Sequence, residues 1–162
     1  MSKTVLITGA STGIGRETVK YFQQKCWNVS ASMRSPEKEK ELTKLQNVIC
    51  PKLDVTDEIS IALAVGKTIK EFGNIDVIVN NAGYSLTGVF EAVTTAQLRH
   101  QYDVNVFGVM NVVRSILPYF RERKSGTIFN VSSTGGKMTL PLYSMYQSTK
   151  WAVSGFSEAL QY

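Results

Sequence analysis

Soft metal ligands are scarce in this sequence: two cysteines, Cys26 and Cys50, and a single histidine, His100. The cysteines are far apart and share no ligand spacing, so reduced, packing thiols are expected and a metal centre is not. A lone histidine beside Arg99 on a probable helix is usually a surface or half-buried residue, and His100 is assigned no chemistry. Long apolar runs are missing as well. No stretch approaches the ~18 residues that a bilayer span needs. Met1-Ser2-Lys3 leads into only a short apolar run before Gly9. That run reads as a buried strand rather than an export signal, which makes the cytoplasm the expected compartment. Neither repeats nor low-complexity tracts occur. The excess of positive charge is modest, +5, and its densest run, Glu37-Lys38-Glu39-Lys40-Glu41, mixes signs. Such a run reads as a solvated helix face, and it argues against a nucleic-acid partner.

What is present is regular alternation. The 162 residues suffice for one domain with a sizeable core, taken as 1–162. Apolar strand-like runs alternate with helical patterns, which makes an α/β fold with a doubly wound parallel sheet the expected class. Thr4-Val5-Leu6-Ile7-Thr8 runs into Gly9-Ala10-Ser11-Thr12-Gly13-Ile14-Gly15 and then into a helix to about Gln24 with Val19, Tyr21 and Phe22 on its apolar face. Strand, glycine-rich turn and helix start together put free N–H groups against a diphosphate. In that unit Gly9 permits the turn, Gly13 lets the backbone approach the ligand, and Gly15 lets the helix pack on the sheet. Further strands are expected at Asn28–Met33, Asn47–Leu53, Ile75–Val79 and Thr127–Val131. Pro36 fits the first turn of a helix, Asp57 caps another that Gly73 stops after Phe72, and a long helix should run from about Thr95 to Lys124. Its apolar positions are Val104, Phe107, Val112, Val113 and Ile116, and Pro118 predicts a kink or break near its end.

Late in the chain, Tyr146 and Lys150 stand four residues apart in a helical run, so phenol and ammonium share one face. A cation beside a phenolate favours the charged form, which makes the pair a plausible proton-transfer device. In isolation such a pair is just as well a packed ring and a solvated amine. The glycine turn, Asp54-Val55, Asn80-Asn81-Ala82-Gly83 and Ser133 all fall at expected strand C-termini. They should therefore converge on one crevice at the edge where such folds bind ligands.

Taken in order, Thr8-Gly9-x-x-x-Gly13-x-Gly15, Asp54-Val55, Asn80-Asn81-Ala82-Gly83, Asn105, Ser133 and Tyr146-x-x-x-Lys150 resemble the classical short-chain dehydrogenase/reductase family over essentially the whole chain. The resemblance implies a Rossmann-type fold and an oxidoreductase that moves hydride between a nicotinamide and a carbonyl or secondary alcohol. Tyr146 would be the general acid/base, since Tyr143 has Gln147 rather than lysine at the fourth position on. Lys150 would also hold the nicotinamide ribose, Ser133 would donate to the substrate oxygen with Ser132 as its structural rival, and Asn105 would support Lys150 through a water. Gly9, Ser11, Thr12, Gly13, Ile14, Gly15, Asp54, Val55, Asn81, Ala82 and Gly83 would bind the dinucleotide, with Asn80 bracing neighbouring strands. Simpler readings stand beside these: strand-end serines that satisfy backbone groups, and an ordinary turn after a buried strand.

Cofactor choice falls to Ser30-Ala31-Ser32-Met33-Arg34-Ser35. No acid is available there for a ribose 2′-hydroxyl, and Arg34 suits a 2′-phosphate, so NADP is expected over NAD. The family pattern continues past the helix in which the chain stops at Tyr162, and a truncated form of a longer enzyme, homo-oligomeric when complete, is expected. The alternatives are a non-catalytic dinucleotide-binding module or inert fragment, and an extended-type sugar-nucleotide epimerase, which the glycine spacing disfavours.

Overall fold

A computed structural model describes residues 2–161; the two ends of the expected 1–162 domain, Met1 and Tyr162, lie outside the described residues. Five parallel strands form one sheet: β1 (Thr4–Ile7), β2 (Asn28–Ala31), β3 (Val48–Ile49), β4 (Val77–Asn80) and β5 (Thr127–Asn130), in the order β3-β2-β1-β4-β5. This is a Rossmann-type α/β sheet. β1 lies at its centre with Val5, Leu6 and Ile7 fully buried. It pairs β2 from Thr4–Asn28 to Ile7–Ala31 on one side and β4 from Val5–Val77 to Ile7–Val79 on the other. Chain order reverses at β1, so a crevice opens beyond the C-terminal ends of β1 and β4.

The helices are α1 (Gly13–Gln24), α2 (Glu58–Phe72), α3 (Thr95–Tyr102), α4 (Gly108–Arg123) and α5 (Ser144–Ala159). One core layer joins Leu6 and Ile78 to Ile61, Val65, Val112, Ile116 and Phe120. The opposite layer joins Val5, Ile7, Val29 and Val79 to Val19 and Leu42. Asp57 caps α2 by accepting from the N–H groups of Ile59 and Ser60, and Gly73 ends it at φ +81°. Thr94 and Gln97 form a reciprocal capping box on α3. No helix among the described residues is long and apolar enough to cross a membrane.

Several local expectations fail. Between β2 and β3 there is no α-helix: Pro36–Lys38 and Leu42–Lys44 are single 3₁₀ turns. The run Glu37 to Glu41 is not a solvated helix face either, because Glu39 turns inward and accepts the N–H groups of Glu41 and Leu42. β3 is only two residues long, extended by a lone bridge from Lys52 to Met33. Cys26 is exposed at φ +60° in the turn after α1 rather than packed. Cys50 is half-buried, and burial pushes its thiol up to about 11. Tyr21 lies off the buried face of α1, meeting Phe22 edge-on and the ammonium of Lys25. Phe107 is also exposed. The long helix expected over 95–124 is divided, yet not at Pro118, which α4 carries inside its span. The irregularity is a π-helical turn, Asp103–Phe107, between α3 and α4.

Candidate functional site

The crevice starts at the glycine turn, and packing explains its glycines. A Cβ on Gly9 would stand 2.8 Å from the Ala82 Cα, and one on Gly15 would overlap the Asn81 amide and the Gly9 carbonyl. Gly9 and Gly13 also take φ of +67° and +56°, which suits residues without a Cβ. The side chain of Asn81 braces the turn, donating to the carbonyls of Thr8 (3.0 Å) and Gly9 (3.1 Å). In return the Thr8 hydroxyl oxygen accepts the N–H groups of Asn81 and Ala82. Thr12 precedes α1 without capping it through its side chain, and the first turn of α1 holds no acid. The N-terminal N–H groups of α1 are thus left for an anion.

One crevice of about 930 Å³ is lined by Gly9, Ser11, Thr12, Gly13, Ile14, Arg34, Asp54, Val55, Asn81, Ala82, Gly83, Ser133, Tyr146 and Lys150. Every residue expected to hold the dinucleotide is therefore gathered there except Gly15, which packs beneath the turn. Arg34 is exposed at the end of β2, with no ion pair among the described residues. Burial opposes ionisation of Asp54, but two hydrogen bonds from Thr56 and the charges of Arg34 and His100 outweigh it and hold the carboxyl below its ordinary value. This set fits a dinucleotide: a glycine cradle that a Cβ would fill, an uncapped helix start, and an exposed cation, Arg34, on the wall of the same crevice.

At the other end Tyr146 is half-buried on α5, and the Lys150 ammonium lies 5.7 Å from the centre of its ring. Lys150 is only 6% exposed, and burial lowers its pKa. One of its protons goes to the Val131 carbonyl at 2.8 Å. The Ser133 oxygen accepts the Gly135 N–H at 3.1 Å, which leaves its own O–H free to donate. Ser132 lines the crevice too, and its hydroxyl is bonded to the Lys150 carbonyl and the Ser154 hydroxyl. Asn105 does not line the crevice. It lies buried behind Gly83 in the π-helical turn, where its amide donates to Tyr84 O (2.8 Å) and Thr149 Oγ1 (3.1 Å) and its carbonyl accepts Tyr84 N–H (3.0 Å). Asn80 braces the sheet by donating to Asn130 at 2.8 Å.

Sequence reasoning missed Tyr84, Ser85, His100, Val104 and Thr134 on the crevice wall. His100 and Val104 lie four residues apart on one helix face, and the ring of Tyr84 sits 5.8 Å from that of His100. Position directly after Gly83 was the available signal for Tyr84, and nothing local marked His100, because Val104, four residues on, reads as an apolar core position.

Residues 3–162 match the family described as short chain dehydrogenase. An uncharacterised oxidoreductase of Schizosaccharomyces pombe is 48% identical over 79% of the chain, and a 3-ketodihydrosphingosine reductase of Bacteroides thetaiotaomicron is 38% identical over 96%. The chain spans only 54% and 56% of the lengths of these two relatives. Among solved structures, ElxO with NADP bound superposes with a TM-score of 0.90 at 35% identity, over 96% of this chain and 65% of that one. The 3-ketoacyl-(acyl-carrier-protein) reductase of Brucella melitensis complexed with NADH superposes with a TM-score of 0.92 at 30% identity, over 98% of this chain and 68% of that one.

Proposed function

The chain belongs to the short-chain dehydrogenase family, and on that premise we propose that its crevice serves NADP-dependent oxidation and reduction of a carbonyl or secondary alcohol, with Tyr146 as general acid and base. Ser133, Tyr146 and Lys150 line the same crevice as the glycine turn, and this juxtaposition carries the assignment. When bound, the nicotinamide supplies or accepts the hydride. The protein's part is to hold the substrate oxygen between the Ser133 hydroxyl and the Tyr146 phenol, so that charge growing on that oxygen meets two donors. In reduction Tyr146 gives its proton to the oxygen; in oxidation it takes one. Lys150 keeps two N–H groups beyond the one that Val131 accepts. These would serve charge on the phenol oxygen and a ribose hydroxyl of the bound cofactor, which would tie catalyst and cofactor to one side chain. Asn105 acts from behind by fixing Tyr84 and Thr149, the latter next to Lys150 on α5.

The preference for NADP rests on Arg34 and on the absence of a carboxylate in Ser30–Ser35. Exposed Trp151 on α5 and Phe107 before α4 offer apolar surface for a homo-oligomer of the whole protein. NADPH oxidation with a panel of ketones, run on the full-length protein, tests the assignment. Tyr146→Phe should lower turnover by about 10²- to 10⁴-fold while NADPH still binds. Turnover that survives the substitution would remove Tyr146 from the reaction, and a parent that binds NADPH but reduces no ketone would favour a non-catalytic binding module.

A further inference from the structure

Arg16 ties three segments together from the first turns of α1. Its guanidinium donates through Nη1 to the Ser11 carbonyl of the glycine turn at 3.2 Å and to Glu39 Oε2 at 2.6 Å. Through Nη2 it reaches Glu39 Oε1 at 3.3 Å and Glu41 Oε2 at 2.6 Å. The Glu39 side chain is only 6% exposed. Its Oε1 also accepts the N–H groups of Glu41 (2.8 Å) and Leu42 (2.9 Å), and Leu42 is fully buried in the core. Both carboxylate oxygens are thus engaged in a two-pronged pair with the guanidinium, the geometry that fixes direction as well as distance. The glycine turn needs none of this to hold its shape, since Asn81 and Thr8 already brace it. What the clasp adds is a fixed relation between that turn and the segment that begins at Arg34. That segment has only two 3₁₀ turns to stiffen it.

We propose that Arg16 and Glu39 are positioning residues for the phosphorylated adenosine end of the dinucleotide, holding the Ser11 turn and the Arg34 segment at the separation where one ligand reaches both. Neither residue lines the crevice, so each acts through the loop it holds. The inference rests on the NADP reading above. The hydrogen bond from Arg16, against the opposing effect of burial, holds the Glu39 carboxyl down at about 2, so the clasp stays charged at any working pH.

Calorimetric titration with two probes separates this role from a merely structural one: 2′,5′-ADP for the adenosine end and reduced nicotinamide mononucleotide for the other. In Glu39→Gln, affinity for 2′,5′-ADP should fall about tenfold, equivalent to about 1.4 kcal/mol, while the mononucleotide binds as in the parent. Arg16→Lys supplies the same readout should Glu39→Gln fail to fold. It keeps the charge, yet a single ammonium cannot fork across Ser11, Glu39 and Glu41, and the same selective loss is expected. Unchanged affinity for 2′,5′-ADP, or equal loss for both probes, overturns the proposal. A parent protein blind to 2′,5′-ADP overturns the NADP reading and this proposal with it; variants that bind the probe as well as a competent parent overturn this proposal alone.

Discussion

Lys150 is a charge kept where the fold does not favour it. Burial lowers its pKa from an ordinary 10.5, so the folded chain holds that proton less tightly than the unfolded one. The sign follows from linkage: the buried ammonium costs stability at neutral pH, and the cost is relieved as pH rises through the lowered folded value toward 10.5. Lys150→Met removes the buried charge, and the Val131 carbonyl it leaves behind lies on the crevice wall, where water can reach it. The variant should therefore be no less stable than the parent at pH 7 in a denaturant titration, while turnover is lost. A marked fall in stability would show that the lysine is kept for the fold rather than for the chemistry. Glu39 has the opposite sign. Its carboxyl is held down from 4.5 to about 2, chiefly by the hydrogen bond from Arg16, so its contribution is present above pH 4.5 and is lost as pH falls through 2. Unfolding curves taken stepwise from pH 5 to pH 2 should converge for the parent and Glu39→Gln, with the parent ahead at the upper end. A constant gap would mean that the Glu39 charge is not what holds the clasp.

Among the elements, the π-helical turn Asp103–Phe107 shows most clearly where the sequence is legible and where it is not. Alternation of apolar runs located all five strands and the main helices, and the turn and cap residues Gly9, Asp57 and Gly73 behave as their chemistry requires. Proline at 118 was the visible candidate for a break in the long helix, yet α4 runs through it unbroken, and the helix is divided instead at the turn that holds Asn105. A widened turn leaves no mark in a pattern of apolar spacing, because the amide that occupies it makes its contacts with Tyr84 and Thr149, far away in sequence. The helix expected after Pro36 fails for a related reason: Glu39 satisfies backbone N–H groups as a side-chain acceptor and pairs with Arg16, which a local reading cannot see. Such single-turn π-helices recur at functional sites. Asn105→Ala would remove three hydrogen bonds and leave the Tyr84 N–H without a partner, at a cost of about 1–3 kcal/mol where water does not enter, since Tyr84 O keeps its bond from Gln101 and the Thr149 hydroxyl its bond to Tyr146 O. Its melting temperature should fall clearly, and binding of NADPH should weaken with it as Tyr84 and Thr149 lose their anchor. Retention of both would make Asn105 a spectator.

In the whole molecule, the crevice draws on the ends of β1, β2, β4 and β5, on the segments flanking β3 and α2, and on α3 and α5. Motif order made most of this set readable, because strand C-termini share one edge in a parallel sheet. Tyr84 was within reach from its place directly after Gly83, whereas the contribution of His100 needed the actual packing of α3 over the crevice. A ligand that touches so many separate elements binds only the folded arrangement, so it should stabilise the chain as a unit. The expected gain is about 2.7 kcal/mol at a hundred times the dissociation constant. The size of that gain then reports which dinucleotide fits. Arg34 is an exposed cation at the end of β2, with no carboxylate in Ser30–Ser35 to receive a bare ribose hydroxyl. At equal concentrations NADPH should raise the melting temperature more than NADH does. In Arg34→Ala the difference should shrink toward zero through loss of the NADPH shift alone, the NADH shift staying where it was. Equal shifts in the parent protein would contradict the NADP preference, and a difference that survives Arg34→Ala would move the source of discrimination to a residue other than Arg34.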